Sequence, residues 1–146
     1  MRALIQRVKS AKVEVNGQIV GHIEQGLLVF IGLGKHDTLA TAEKLIKKIL
    51  AYRVFSDDTD RMNLNVQQVG GGVLLVSQFT LMADTKKGLR PDFGPAMPPD
   101  DAKQLFAQLV ELAKTMYPSI QTGEFGADMQ VSLINDGPVT FALDVD

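Results

Sequence analysis

The feature that most constrains this chain is the alternating stretch "KVEVNGQIVGHI", cut in two by Asn16-Gly17. Apolar residues at every second position turn one face of an extended segment to a core and the other to water. Asn-Gly accepts φ > 0 at both central positions, which a two-residue hairpin demands. An antiparallel pair is therefore expected near the amino end. "LIQRV" alternates in the same way. "GLLVFIGLG" is a continuous apolar run bounded by glycines and reads as a strand buried on both faces.

Helical periodicity appears twice. Leu39, Ala42, Leu45, Ile46, Ile49 and Leu50 share one face, and Lys44, Lys47 and Lys48 lie mostly off it. This predicts a helix from about Leu39 to Tyr52, capped by Asp37 or Thr38. Leu105, Leu109, Leu112, Ala113 and Met116 predict a second, from about Asp100 to Met116, with Pro98 and Pro99 before it and Pro118 ending it. "FSDDTDRMN" reads as a polar loop. "NVQQVGGGVLLVSQF" reads as a strand, a glycine turn and a second buried strand. "DMQVSLINDGPVTFALDV" reads as two strands broken at Asn135-Asp136-Gly137-Pro138. Strands that mostly follow one another, with two helices, indicate α+β and a largely antiparallel or mixed sheet. The strict alternation of a Rossmann-like fold is missing.

A chain of 146 residues corresponds to one domain, spanning 1–146. With 45% hydrophobic residues it is globular. A net charge of −2 gives no global basic signature, so any polyanion must be met by a local patch. The absence of cysteine excludes disulfides, thiolate zinc sites and cysteine nucleophiles, and fits a reducing compartment. No apolar run approaches the length of a membrane span, and the amino terminus is not a signal-peptide core. These features lead us to expect a soluble, cytoplasmic protein without membrane association.

Few side chains offer chemistry. His22 lies in an alternating strand and His36 in a turn, with no metal-ligating neighbours in sequence, so no metal is expected. Asp57, Asp58 and Asp60 lack the spacing of a calcium loop. "GLGKHDT" and "VGGGV" both fail as phosphate-loop signatures. Ser77 and Thr80 end an apolar strand, where hydroxyls ordinarily bond to backbone. Their neighbours set them apart. Gln78 adds an amide, Phe79 a flat apolar face, and Lys86, Lys87 and Arg90 follow in a glycine-broken loop. A stacked base and a phosphate would need those groups; a merely soluble loop would also show them. Gly137-Pro138 breaks its strand either as an ordinary turn or to aim backbone carbonyls inward. The residues alone do not favour a cis bond there, since only about 5–6% of X-Pro bonds in folded proteins are cis.

Ser77-Gln78-Phe79-Thr80-Leu81 together with Asn135-Asp136-Gly137-Pro138-Val139-Thr140 resembles the D-aminoacyl-tRNA deacylases, formerly called D-tyrosyl-tRNA deacylases. The likeness runs through the whole chain, including "MRALIQRV", "GLLVFIGLG" and "RPDFGPA", and its length is that of bacterial members. The resemblance implies a barrel-like sheet and an editing hydrolase that cleaves D-aminoacyl-tRNA without a cofactor and spares L-aminoacyl-tRNA. It implies a homodimer with active sites at the interface. There the Gly137-Pro138 dipeptide, cis in the family, would enter the partner's site, flanked by Asn135 and Thr140. Ser77, Gln78, Phe79 and Thr80 would line the pocket for the terminal adenosine and ester, with the 2′-hydroxyl of the RNA assisting. A filter of that kind would also pass glycyl-tRNA mischarged on alanine tRNA. The other readings are a non-catalytic RNA- or nucleotide-binding module and a related editing deacylase with a trans Gly-Pro.

Overall fold

In a computed structural model describing residues 1–146, the alternation at the amino end becomes β1 (Arg2–Val15) and β2 (Gln18–Ile23). Asn16 and Gly17 join them at φ 51° and 78°. The glycine-bounded run is β3 (Gly26–Gly32), antiparallel to the first half of β1, as β2 is to the second half. A crossover through α1 (Leu39–Ala51) brings in β6 (Gly72–Ser77), parallel to β3. A second crossover through α2 (Pro99–Met116) brings in β7 (Ile120–Thr122), parallel to β6. The chain ends in β8 (Gln130–Asp144), which runs antiparallel along the whole outer edge of β1. The sheet is thus mixed, and the fold is α+β.

The sheet curls until β2 approaches β7. Gly21 makes that closure possible, because a Cβ there would lie 2.3 Å from the Thr122 carbonyl oxygen. The result is a nearly closed barrel with two cores. One, between sheet and helices, holds Ala3, Ile5, Leu45, Ile49 and Leu109. The other fills the barrel with Val8, Ala11, Val13, Leu28, Leu74 and Val76. β1 serves both by changing which face it buries. Its register against β8 slips twice. Between Gln6 and Val8 the extra residues belong to β8. Between Val8 and Ser10 one extra residue belongs to β1 and turns its side chains over, so that Ala3 and Ile5 face the helices while Ala11 and Val13 face the barrel.

Four expectations are revised. The loop after α1 contains a small hairpin, β4 (Phe55–Ser56) with β5 (Met62–Leu64). Asp57 organises it by accepting from the Thr59 hydroxyl, the backbone of Thr59 and Arg61, and the Asn63 amide. These bonds, the Thr59 hydroxyl first, hold its carboxyl below the usual range. "NVQQV" is a turn, because the Asn65 and Gln68 side chains each bond the other's backbone and satisfy it locally. The last segment is one long strand with an internal irregularity. In α1 the cap is Thr38, reciprocated by Thr41; Leu39 is exposed and Thr41 is buried in its stead. His22 lies exposed beside Glu24. No helix is long and apolar enough to cross a membrane.

Candidate active site

Val73 to Val76 carry β6 through the interior with all four side chains buried. Its pairing with β3 ends at Ser77, opposite Ile31, and the Gln78 N–H still donates to the Ile31 carbonyl at 2.8 Å. The chain then leaves the sheet and winds one 3-10 turn, Phe79–Met82. The opening N–H groups of such a turn have no partner within it. Backbone donors of Phe79 and Thr80 are therefore presented where the strand stops. The Gln78 side-chain amide donates to Thr80 Oγ1 at 2.5 Å. An amide N–H cannot take up a proton, so this contact orients the hydroxyl and does not activate it.

Beside this strand end lies a cleft of about 620 Å³. Phe30 and Val76 form part of its floor, the start of α2 one wall, and the segment around Met129 another. Ser77, Gln78 and Phe79 line it; Thr80 lies next to them in the turn. Asp128 is the one charged lining residue. Phe79 is 60% exposed, and its ring centroid lies 5.0 Å from that of Phe93, tilted by 56°. This leaves an aromatic surface open to a planar ligand.

The basic loop rises next to that surface. The backbones of Asp84 and Asp92 bond each other at 2.7 and 3.3 Å and pinch its base. Lys86, Lys87 and Arg90 are exposed, and none has an ion-pair partner within 4 Å. They leave a local positive charge on a chain of net negative charge.

Gly137 and Pro138 lie where β8 slips against β1: Asn135 pairs with Val8, and the next pair is Thr140 with Gln6. The residues between are pushed out of register, and the Gly137–Pro138 bond is cis. Side chains hold this turn from both sides. Asn135 accepts from the Val139 N–H at 2.8 Å and donates to the Val139 carbonyl and Thr140 Oγ1. Gln6 also donates to Thr140 Oγ1 at 3.3 Å. Arg7 donates to the Asp136 carbonyl at 2.9 Å and the Val54 carbonyl at 2.8 Å, and its guanidinium lies 3.8 Å from the Asp136 carboxylate. Gly137 and Pro138 themselves stay exposed.

The fold thus gathers Ser77, Gln78, Phe79 and Thr80 at one end of the cleft with the basic loop adjacent. Asn135, Gly137, Pro138 and Thr140 form a second group, and none of them lines the cleft of their own chain. Sequence reasoning missed Arg7 as a support of the second group and Met129 as a cleft wall. Arg7 offered no signal, because its two partners stand 47 and 129 positions away.

The fold places this molecule with small α+β barrel proteins that include a probable eukaryotic D-amino acid tRNA deacylase. That structure superposes with a TM-score of 0.82 over 99% of this chain and 98% of the other, at 16% identity, a likeness of fold alone. A structure described as c-Myc DNA unwinding element binding protein superposes with a TM-score of 0.95 at 38% identity, covering 100% of this chain and 99% of that one. Sequence narrows the class further. The family model for D-Tyr-tRNA(Tyr) deacylase matches residues 4–144. A D-aminoacyl-tRNA deacylase of Acinetobacter baumannii is 66% identical over 100% of this chain and 99% of its own length. One from Psychrobacter cryohalolentis is 61% identical over 99% of both. The chain belongs to the D-Tyr-tRNA(Tyr) deacylase family.

Proposed function

We propose that the cleft beside Ser77–Thr80 seats the aminoacylated 3′ end of a tRNA and that selection against L-amino acids comes from a second copy of the chain. Membership of the family makes the protein a hydrolase of the ester bond in D-aminoacyl-tRNA. The observation that carries our reading of its site is the end of β6, where orphan backbone N–H groups, a tethered hydroxyl and an exposed aromatic pair meet within one apolar cleft.

In this reading the terminal adenine stacks on Phe79 and Phe93, and the ester carbonyl lies against the N–H groups of Phe79 and Thr80. Those donors stabilise the oxyanion that forms when water adds to the carbonyl. The 2′-hydroxyl of the terminal ribose assists the proton transfer from that water to the departing 3′ oxygen. Thr80 positions these groups through its bond to Gln78. An aminoacyl ester is already reactive, and each tenfold in rate needs only ~1.4 kcal/mol. A nucleophile with its own base is unnecessary.

Selection is the harder task, because L-aminoacyl-tRNAs are made in bulk. Gly137 and Pro138 are exposed, braced by Arg7 and Asn135, and line no part of their own cleft. They act in the cleft of a partner in a homodimer, where their carbonyl oxygens occupy the direction an L side chain would take. The same direction holds only hydrogen in a D-residue or in glycine, so glycyl-tRNA is a further substrate. Lys86, Lys87 and Arg90 meet the phosphates behind the terminal nucleotide. The protein acts in the cytoplasm, where aminoacyl-tRNA is found. The test is hydrolysis of matched D- and L-tyrosyl-tRNA. Release of D-tyrosine with L-tyrosyl-tRNA left intact is expected; equal release, or tight binding without release, would overturn the reading.

A further inference from the structure

A second recess, of about 450 Å³ and open to solvent, lies between the end of α1 and the last part of β8. It is lined by Lys48, Ala51, Tyr52, Arg53 and Phe141. The Tyr52 and Phe141 rings meet edge to face with centroids 5.6 Å apart. Lys48 has no ion-pair partner, and Arg53 has only a 3.2 Å bond to the neutral Asn63 amide. Two cations with no carboxylate beside them flank an aromatic floor. That combination fits a nucleotide, whose base has a π-face and whose phosphate carries the charge.

The recess is coupled to the selecting turn. One guanidinium, that of Arg7, bonds both the Val54 carbonyl, next in chain to Arg53, and the Asp136 carbonyl, next to Gly137. Arg7 therefore ties the segment that carries Arg53 to the turn. In the shared-site reading, a turn that enters a partner's cleft brings the adjoining recess towards that cleft.

We propose that the Lys48–Tyr52–Arg53–Phe141 recess holds a nucleotide upstream of the terminal adenosine, on the RNA whose 3′ end lies in the partner's cleft. This rests on the shared-site reading given above. The substrate then spans both subunits, with its terminal adenosine on the Phe79 side of one and its single-stranded approach on the Tyr52 side of the other.

The experiment compares two substrates, D-tyrosyl-tRNA and 2′(3′)-O-D-tyrosyl-adenosine, which lacks every upstream nucleotide. In the Lys48→Ala/Arg53→Ala variant the ratio of kcat/KM for the tRNA to kcat/KM for the adenosine ester should fall about tenfold, the scale of one lost charge-assisted contact to phosphate. The salt slope of tRNA binding should flatten by roughly 0.7 per lost contact. Lys48 also lies in the last turn of α1, where a cation favours the helix dipole. Lys48→Glu alone, at an exposed position, separates the roles: a purely structural part would lower Tm and leave the substrate ratio unmoved.

Mixed dimers decide the geometry. One subunit carries Lys48→Ala/Arg53→Ala. The other carries Phe79→Glu, whose carboxylate repels RNA from its cleft. The intact cleft then faces the intact recess across the interface, and the wild-type ratio should return. An unchanged ratio in the double variant overturns the proposal, as does a mixed dimer whose ratio stays as low as the variant's. Failure of the wild type to hydrolyse the adenosine ester would instead strike the underlying site reading.

Discussion

At the scale of single residues, Thr80 is the most informative. Its hydroxyl is held by an amide donor, not by a base. If it positions groups, Thr80→Ala should cost about one hydrogen bond, 0.5–1.5 kcal/mol, or roughly two- to tenfold in kcat. Replacing the substrate's terminal 2′-hydroxyl by hydrogen should cost about 100-fold or more, the scale of positioned proton transfer. Single-turnover rates of the two changes measure this. Complete loss in Thr80→Ala, with an acyl group trapped on the residue in the native enzyme, would make it the nucleophile. The polar strand end was legible in the sequence because a hydroxyl, an amide, a ring and a second hydroxyl follow an apolar run without a break. The supports of Gly137–Pro138 were only partly legible. Asn135 is local to the turn and belongs to its motif, whereas Arg7 sits in an alternating strand and reads as an ordinary outward charge. It reaches two carbonyls only because β1 slips beside it, and a slip depends on the partner strand, which the local pattern does not contain.

At the scale of elements, the helices and the β1–β2 pair followed from periodicity, since each buries a face that its own sequence marks, and β3 and β6 followed from unbroken apolar runs. The β4–β5 hairpin did not, because its order comes from one carboxylate collecting four bonds and not from an apolar pattern. β8 was expected as two strands because a Gly-Pro break normally ends pairing; β1 is long enough to resume the ladder beyond it. Closure of the barrel rests on one contact that no pattern announces. Gly21→Ala would put a Cβ 2.3 Å from the Thr122 carbonyl oxygen and 2.9 Å from Leu74 Cδ1. We expect a loss of about 1–3 kcal/mol, read as a lower urea midpoint. The basic loop makes a separate prediction. Alanine at Lys86, Lys87 and Arg90 should weaken binding to all tRNAs alike and flatten the salt slope by about 2, at roughly 0.7 per single-strand contact. An unchanged slope would make the loop a solvated surface only.

At the scale of the whole molecule, the second group of site residues lines no part of its own chain's cleft, and Gly137 and Pro138 are exposed. A shared site needs a second copy, related by a two-fold axis so that each turn reaches the other's cleft. Exposed Leu133 and Ile134 on β8 provide apolar surface near the turn. Sedimentation at working enzyme concentration should give a dimer, and a fully active monomer would refute the shared site. The central claim is that backbone oxygens exclude a side chain, whatever its identity, and do not recognise a D side chain. A filter of this kind cannot reject glycine, and attraction to one methyl would supply only ~1–3 kcal/mol of discrimination. The most direct test is a side-by-side assay of glycyl-, L-alanyl- and D-alanyl-tRNA over a range of enzyme concentrations. Cleavage of the glycyl and D-alanyl esters with survival of the L-alanyl ester is the predicted result; survival of glycyl-tRNA alongside L-alanyl-tRNA would contradict it and require positive recognition of the D side chain.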